Sequence, residues 1–284
     1  MTRPLLLLLV LCTLASPLAA QRAGGDSEDF HFTLYLVGQG LKDDAVTLAR
    51  HWRPASDSAH FARGYAFYSA RLLDSAAASF ARVDEGSPLR NEALFYAALS
   101  QAHLGRPDSA AATLARIAAA QPDVLNLKRF EQAGVSLLQL DLPAFDRAFG
   151  LTDTTDFRLA AEARSLLSTR DAIAAHRPKS PLLAGMLSAI VPGLGKVYAG
   201  SYGEGAAAFL LTGSLAAVTA ENWVRQGPLN WKTLLSGLLT AVFYAGNVYG
   251  SAVSVKVAND DFNHLQDVQI LYDIHIPIRN SHRR

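Results

Sequence analysis

The chain has 284 residues, 50% of them hydrophobic and 18% charged, and a formal net charge of +1. The charged share falls below the roughly 25% of ordinary soluble domains, and the near-zero net charge excludes a global field that would draw the chain to nucleic acid. One cysteine, Cys12, excludes a disulfide framework or thiolate cluster.

Residues 1–20 read MTRPLLLLLVLCTLASPLAA. Arg3 gives a positive start, residues 5–14 an apolar core, and Ser16, Ala19 and Ala20 the small residues of a cleavage site. A bilayer span needs about 20 apolar residues, so the pattern predicts a secretory signal peptide over 1–20, with an uncleaved N-terminal anchor as the alternative, and export of the chain beyond it in either case. Leu11 precedes Cys12, where lipid attachment would need a small residue. A short linker at 21–29 leads to the next domain.

Residues 74–83, DSAAASFARV, return as residues 108–117, DSAAATLARI, with seven of ten positions identical at an offset of 34. Pro88 likewise returns as Pro122. Self-similarity at this period marks an array of helix–turn–helix units. In the first copy, Gly64 and Ala76 are small enough for two helices to approach closely. Phe80 fills the space toward the next pair, and Pro88 is expected to end the second helix. Ala98, Ala110, Leu114 and Pro122 take the same places in the second copy, with Gly105 and Pro107 at its turn. These residues resemble the tetratricopeptide repeat family, most specifically over 58–122. Weaker copies are expected at 32–53 and 124–149, and a closing helix at 160–167. The repeat domain is thus predicted over 30–175, with three to four units.

The resemblance implies a concave groove that takes a protein or peptide partner. Arg63, Tyr68, Arg71 and Gln101 are expected on first helices facing that groove, or as ordinary solvated and packing residues.

A membrane domain is predicted over 176–255: the composition changes after residues 177–180, and residues 181–254 contain five charged residues: Lys196, Glu204, Glu221, Arg225 and Lys232. The apolar stretch 181–191 would rise only about 16 Å as a helix, half of a hydrocarbon core. It is therefore expected to be re-entrant or interfacial. Spans are predicted at about 203–222 and 233–255. Between them, Trp223 and Trp231 suit the headgroup level at the turn of a hairpin. Gly237, Ala241 and Ala245 repeat every four residues, and Gly246 and Gly250 form a GxxxG pair. Such faces suit a tight intramolecular hairpin or a homo-oligomer. Arg225 and Lys232 favour a cytoplasmic connector, whereas Arg177, Lys179, Arg279, Arg283 and Arg284 oppose it.

Residues 180–205 carry Ser188, Pro192, Gly193, Gly195, Tyr198, Gly200, Gly203 and Gly205. They resemble a small bacterial membrane module in which a short helix precedes Pro-Gly-x-Gly, an aromatic residue and a glycine-led helix. The resemblance implies membrane residence, and with the predicted export the bacterial inner membrane is the expected location. The repeat domain would then lie on its outer side.

Motifs for chemistry are lacking. Gly193-Leu194-Gly195-Lys196 fails as a phosphate loop, since Ile190 and Val197 stand where glycine and a hydroxyl are needed. The eight histidines show no zinc-hydrolase spacing, and no GxSxG elbow occurs. No cofactor, metal or catalytic residue is expected. The tail, 256–284, reads as polar with mixed periodicity at Val268, Ile270, Asp273, His275 and Ile276, compatible with a short strand or a surface helix.

The expected fold is therefore all-α: a signal peptide, a helical-repeat solenoid, and a membrane hairpin of two spans preceded by a short helix. Two functions fit it. One is a membrane-anchored scaffold that binds a protein outside the cytoplasm; the other is an oligomerising membrane component regulated by its repeats.

Overall fold

The structure, a computed structural model, describes residues 28–52 and 56–281. The expected signal peptide, 1–20, lies outside the described residues. Every regular element among the described residues is an α-helix. The chain divides into two compact units, one of residues up to 174 together with those from 268 onward, the other of residues 175–267.

Among the described residues, the first unit starts with α1 (28–38) and α2 (Lys42–His51). Three further pairs come next: α3 (Asp57–Ser69) with α4 (Leu73–Phe80), α5 (Arg90–His103) with α6 (Pro107–Ala115), and α7 (Pro122–Leu138) with α8 (Leu142–Gly150). Then comes α9 (Ala160–Ala175). Each helix from α2 to α7 packs on the next in the chain.

The pairs share their turn chemistry. Gly40, Arg71, Gly105 and Leu140 each follow the first helix of a pair with φ of 77°, 64°, 68° and 57°. The next residue's N–H donates back to a carbonyl five residues earlier in each case: Leu41 to Leu36, Leu72 to Phe67, Arg106 to Gln101 and Asp141 to Ser136. This left-handed closure satisfies carbonyls that the helix end leaves open.

A second contact recurs at the other end of each pair. Asp57 Oδ1 accepts from Asp84 N–H at 3.0 Å, Asn91 Oδ1 from Ala118 N–H at 3.1 Å, and Asn126 Oδ1 from Asp153 N–H at 2.6 Å. Each bond joins residues 27 apart, which pins the loop after a pair to the start of that pair.

The core is filled by Phe61, Phe80, Leu94, Tyr96, Leu114, Phe130, Leu137, Phe145 and Leu166. A methyl group on Gly64 would come within 2.7 Å of the Phe80 ring, so glycine there is a packing requirement. Phe80 and Tyr96 stack with ring centroids 5.6 Å apart, which links one pair to the next. Ala76, Ala98, Ala110 and Leu114 are buried in the same core.

The prolines act differently from expectation. Helix α4 ends at Phe80, well before Pro88, which lies in the loop ahead of α5. Pro122 is the first residue of α7. Proline's missing N–H matters least in a helix's first turn, so these prolines lead into the next pair instead of terminating a helix.

The second unit contains α10 (Pro181–Ile190), α11 (Leu194–Ala199), α12 (Tyr202–Gln226) and the first part of α13 (Trp231–Ser281). Two helices, α12 and α13, are long and apolar enough to cross a membrane. Little of either apolar window is buried, and Leu210, Leu211, Leu234, Leu238 and Val242 stand exposed. Such a continuous exposed apolar surface is unusual for a water-surrounded helix. Helix α10, ten residues long, is too short to cross.

Of the two expectations for the tail, a short strand or a surface helix, the helix is the one observed. Residues 256–281 continue α13 as helix, with Pro277 inside it, and no strand forms among them.

Candidate functional site

Two groups of residues stand out, one in each unit. The first is a face that receives the C-terminal segment, 268–281. Ile270, Ile274 and Ile278 sit four residues apart, hence on one side of the helix, and all three are buried in the first unit's core.

The receiving side chains come from α3, α5, α7 and α9. Tyr68 Oη on α3 and His275 Nδ1 lie 2.6 Å apart in a hydrogen bond, with their rings stacked. Gly134 on α7 abuts Ile274 so closely that a methyl group there would overlap it. Gln269 Nε2 donates to Ser165 Oγ on α9 at 3.0 Å. Pro277, Asn280 and Ser281 share a cleft of about 730 Å³ with Glu92 and Phe95 of α5.

Several polar groups in this region are buried. Glu131, one turn before Gly134, is buried with Oε1 unpartnered, and burial holds its carboxyl well above the usual range. Asp273 accepts from Gln269 at Oδ1 while Oδ2 has no partner, and burial raises it as well. Burial lowers His275, aided by Arg279 and Arg71, and pushes His103 down to about 4. The two imidazoles are thereby favoured neutral.

Of the four expected groove residues, Tyr68 meets a helix lying across this face, and that helix is the chain's own. Arg63 places its guanidinium over the Phe67 ring of its own helix at 5.5 Å. Gln101 Oε1 accepts from Thr113 Oγ1 at 2.8 Å, within the α5–α6 pair. Arg71 is not on a first helix but in the turn after α3, where the αL conformation is imposed by pair closure.

The second group is the glycine motif of the second unit. Gly193 takes φ of 87° and Gly200 of 105°, so α11 begins and ends at left-handed residues. A side chain at Gly193 would strike the Gly205 carbonyl, and one at Gly195 the Ala184 carbonyl. A side chain at Gly205 would come within 2.6 Å of Val197. The three glycines thus let α10, α11 and α12 touch backbone to backbone. Gly203 meets nothing within 4 Å.

Ser188 Oγ, fully buried, accepts from Gly195 N–H at 2.9 Å and pairs with Ser251 Oγ at 2.7 Å. Tyr198 Oη accepts from Ser180 N–H at 3.2 Å. Pro192 is half-buried at the bend between α10 and α11. Lys196 and Glu204 form an ion pair at 3.3 Å.

The hairpin seam differs from the expected small-residue face. Thr219 and Thr240 hydroxyls meet at 3.0 Å, and Thr233, Ser236 and Asn247 are buried along the same side of α13. Gly237 does approach Thr219. Ala241, Ala245 and Gly246 instead stand exposed, with open space at Gly246, and Gly250 is half-buried. Short hydroxyl side chains satisfy each other where hydrocarbon cannot, so they share the seam with Gly237, while Gly246 lies outside it.

Among the described residues, no group of three or more His, Cys, Asp or Glu side chains is arranged to hold a metal ion. No protein-family model, curated protein or solved structure matches this chain.

Proposed function

We propose that this protein is a membrane-anchored scaffold without catalytic activity. Its tetratricopeptide-like helical pairs would lie outside the cytoplasm of a bacterium and bind a protein partner. Helices α12 and α13 would anchor them in the inner membrane as a two-span hairpin.

One observation carries the anchoring part. Residues before both apolar helices and residues after them belong to the same compact unit, tied together by Tyr68 and His275. Two parts of one packed core lie on one side of a membrane. The number of crossings between them is therefore even, and α12 plus the apolar part of α13 supply two. An even count favours a hairpin where the loop charges alone are divided between both sides.

Exposed leucines on both helices support residence in hydrocarbon, and the Thr219–Thr240 bond supports pairing of the spans. Membranes extracted with alkaline carbonate test the anchor. The full chain should stay in the pellet, and release into the supernatant would contradict it.

A second reading, homo-oligomerisation through α13, is favoured by the outward placement of Ala241, Ala245 and Gly246. With Cys12 removed alongside the signal peptide, Gly246→Cys would be the sole thiol of the mature chain. Oxidation in membranes should give a dimer if this face pairs and none if it meets only lipid.

A further inference from the structure

We propose that the face contributed by α3, α5, α7 and α9 is a helix-binding surface occupied by the chain's own 268–281 segment. Its partner is an amphipathic helix with aliphatic residues at i, i+4 and i+8 that displaces that segment. The inference rests on the scaffold reading and names the partner class and its regulation.

The contact has the anatomy of a helix laid in a groove. Three isoleucines anchor it, and the receiving residues Tyr68, Gly134 and Ser165 lie on first helices of pairs or on the closing helix. The second helices of the pairs, α4, α6 and α8, contribute none of these contacts. Gly134 admits Ile274 where any side chain would exclude it.

The resident helix is an imperfect ligand. Asp273 is carried into the interface with one carboxylate oxygen unpartnered, and Glu131 waits on α7 with an oxygen that no residue of the segment reaches. Pro277 interrupts the segment's own hydrogen-bond ladder. A competing helix with a neutral amide in place of Asp273 avoids one buried charge and keeps the three aliphatic anchors. Buried polar groups left without partners are what such a ligand gains against.

The tether favours the resident segment through an effective concentration in the millimolar range. A free copy of the same sequence therefore binds poorly until the resident is released, because apparent affinity scales with the fraction of open protein.

The test uses the full chain in detergent micelles and a fluorescent peptide of residues 264–284, read by anisotropy. Ile274→Asp in the protein should release the segment and tighten peptide binding about tenfold or more. The same peptide carrying Asp273→Asn should bind tighter still, and one with serine at 270, 274 and 278 should not bind. Hydrogen exchange reports whether the segment alone has opened. Fast exchange at 268–281 with α3–α9 protected, and no peptide binding, overturns the inference. If Ile274→Asp opens the whole unit, Asp273→Asn in the protein decides. Slower exchange at 268–281 and weaker peptide binding support it, and no change in either overturns it. These outcomes are read in micelles and do not depend on membrane orientation, so failure here leaves the anchoring claim intact.

Discussion

Gly134 on α7 lies against Ile274 of the C-terminal segment, with no room for even a methyl group between them. Two residues 140 positions apart in the chain thus fix where the last helix enters the core of the helical pairs.

Gly134→Ala should destabilise the first unit by about 1–3 kcal/mol through overpacking. Helix propensity alone would favour alanine by about 1 kcal/mol, so a loss identifies the clash. Ile274→Ala should recover part of that loss when combined with Gly134→Ala, as coupled neighbours do. Urea unfolding of the two singles and the double measures the coupling, and strict additivity would sink the contact.

Glu131→Gln should stabilise the protein increasingly as pH rises. Burial raises the folded-state pKa of Glu131, so the native state binds the proton more tightly than the unfolded chain does. Wild-type stability is then present in acid and lost as pH climbs through the folded pKa. Tyr68 is the titratable neighbour that senses this carboxyl. Thermal unfolding at pH 5 and pH 8 should show a small difference between variant and wild type at the lower pH and a larger one at the higher.

His103 acts in the opposite direction. Its folded pKa is pushed down to about 4, by burial first and then by Arg71 and His275. The unfolded state takes the proton first as pH falls below the ordinary value of about 6.5. Stability from neutral His103 is therefore lost between that value and the folded pKa. His103→Gln should flatten the acid side of the stability profile. An unchanged slope between pH 7 and pH 5 would contradict the assignment.

In the second unit, Gly195→Ala should prevent stable packing of α10 on α11, since its methyl would run into the Ala184 carbonyl. Gly203→Ala, in the same motif, should be tolerated because nothing lies within 4 Å. Yield and thermal aggregation in detergent compare them, and equal behaviour would remove the packing explanation for the motif.

Leu140 occupies the left-handed turn position that Gly105 fills in the preceding pair, and its side chain is exposed. Leu140→Gly should raise stability by about 1 kcal/mol, the scale of the αL penalty for a residue with a side chain. A lower melting temperature would count against strain at that turn.

The sequence marks some of these features and conceals others. The offset between 74–83 and 108–117 falls on α4 and α6, because buried alanines and one large side chain must recur where pairs pack alike. The turns at Arg71 and Leu140 are hidden in it, since pair closure imposes a left-handed backbone on residues that do not advertise it. The loop-pinning residues Asp57, Asn91 and Asn126 recur at nearly the same period, but short polar residues are too common to notice alone.

The tail is obscured for another reason. Ile270, Ile274 and Ile278 have helical spacing, but Ile276 and Pro277 break the pattern, Asp273 falls among the buried positions and His275 is half-buried. Burial of those residues depends on Tyr68 and Gly134, two hundred and more than one hundred residues away, and no local window contains them. The seam hydroxyls Thr219 and Thr240 are masked by more conspicuous glycines, whose significance rests on helix rotation that composition does not encode.

The decisive measurement for a two-span anchor is a topology map, with compartment-specific reporters placed after Arg170, in the Gly227–Asn230 connector and after Arg284. The expected pattern is outside, inside, outside, which sets both parts of the first unit on one face of the membrane. Opposite signals from the Arg170 and Arg284 reporters would contradict it. The two-span hairpin and the packing of the C-terminal helix against Tyr68 and Gly134 would then be untenable together.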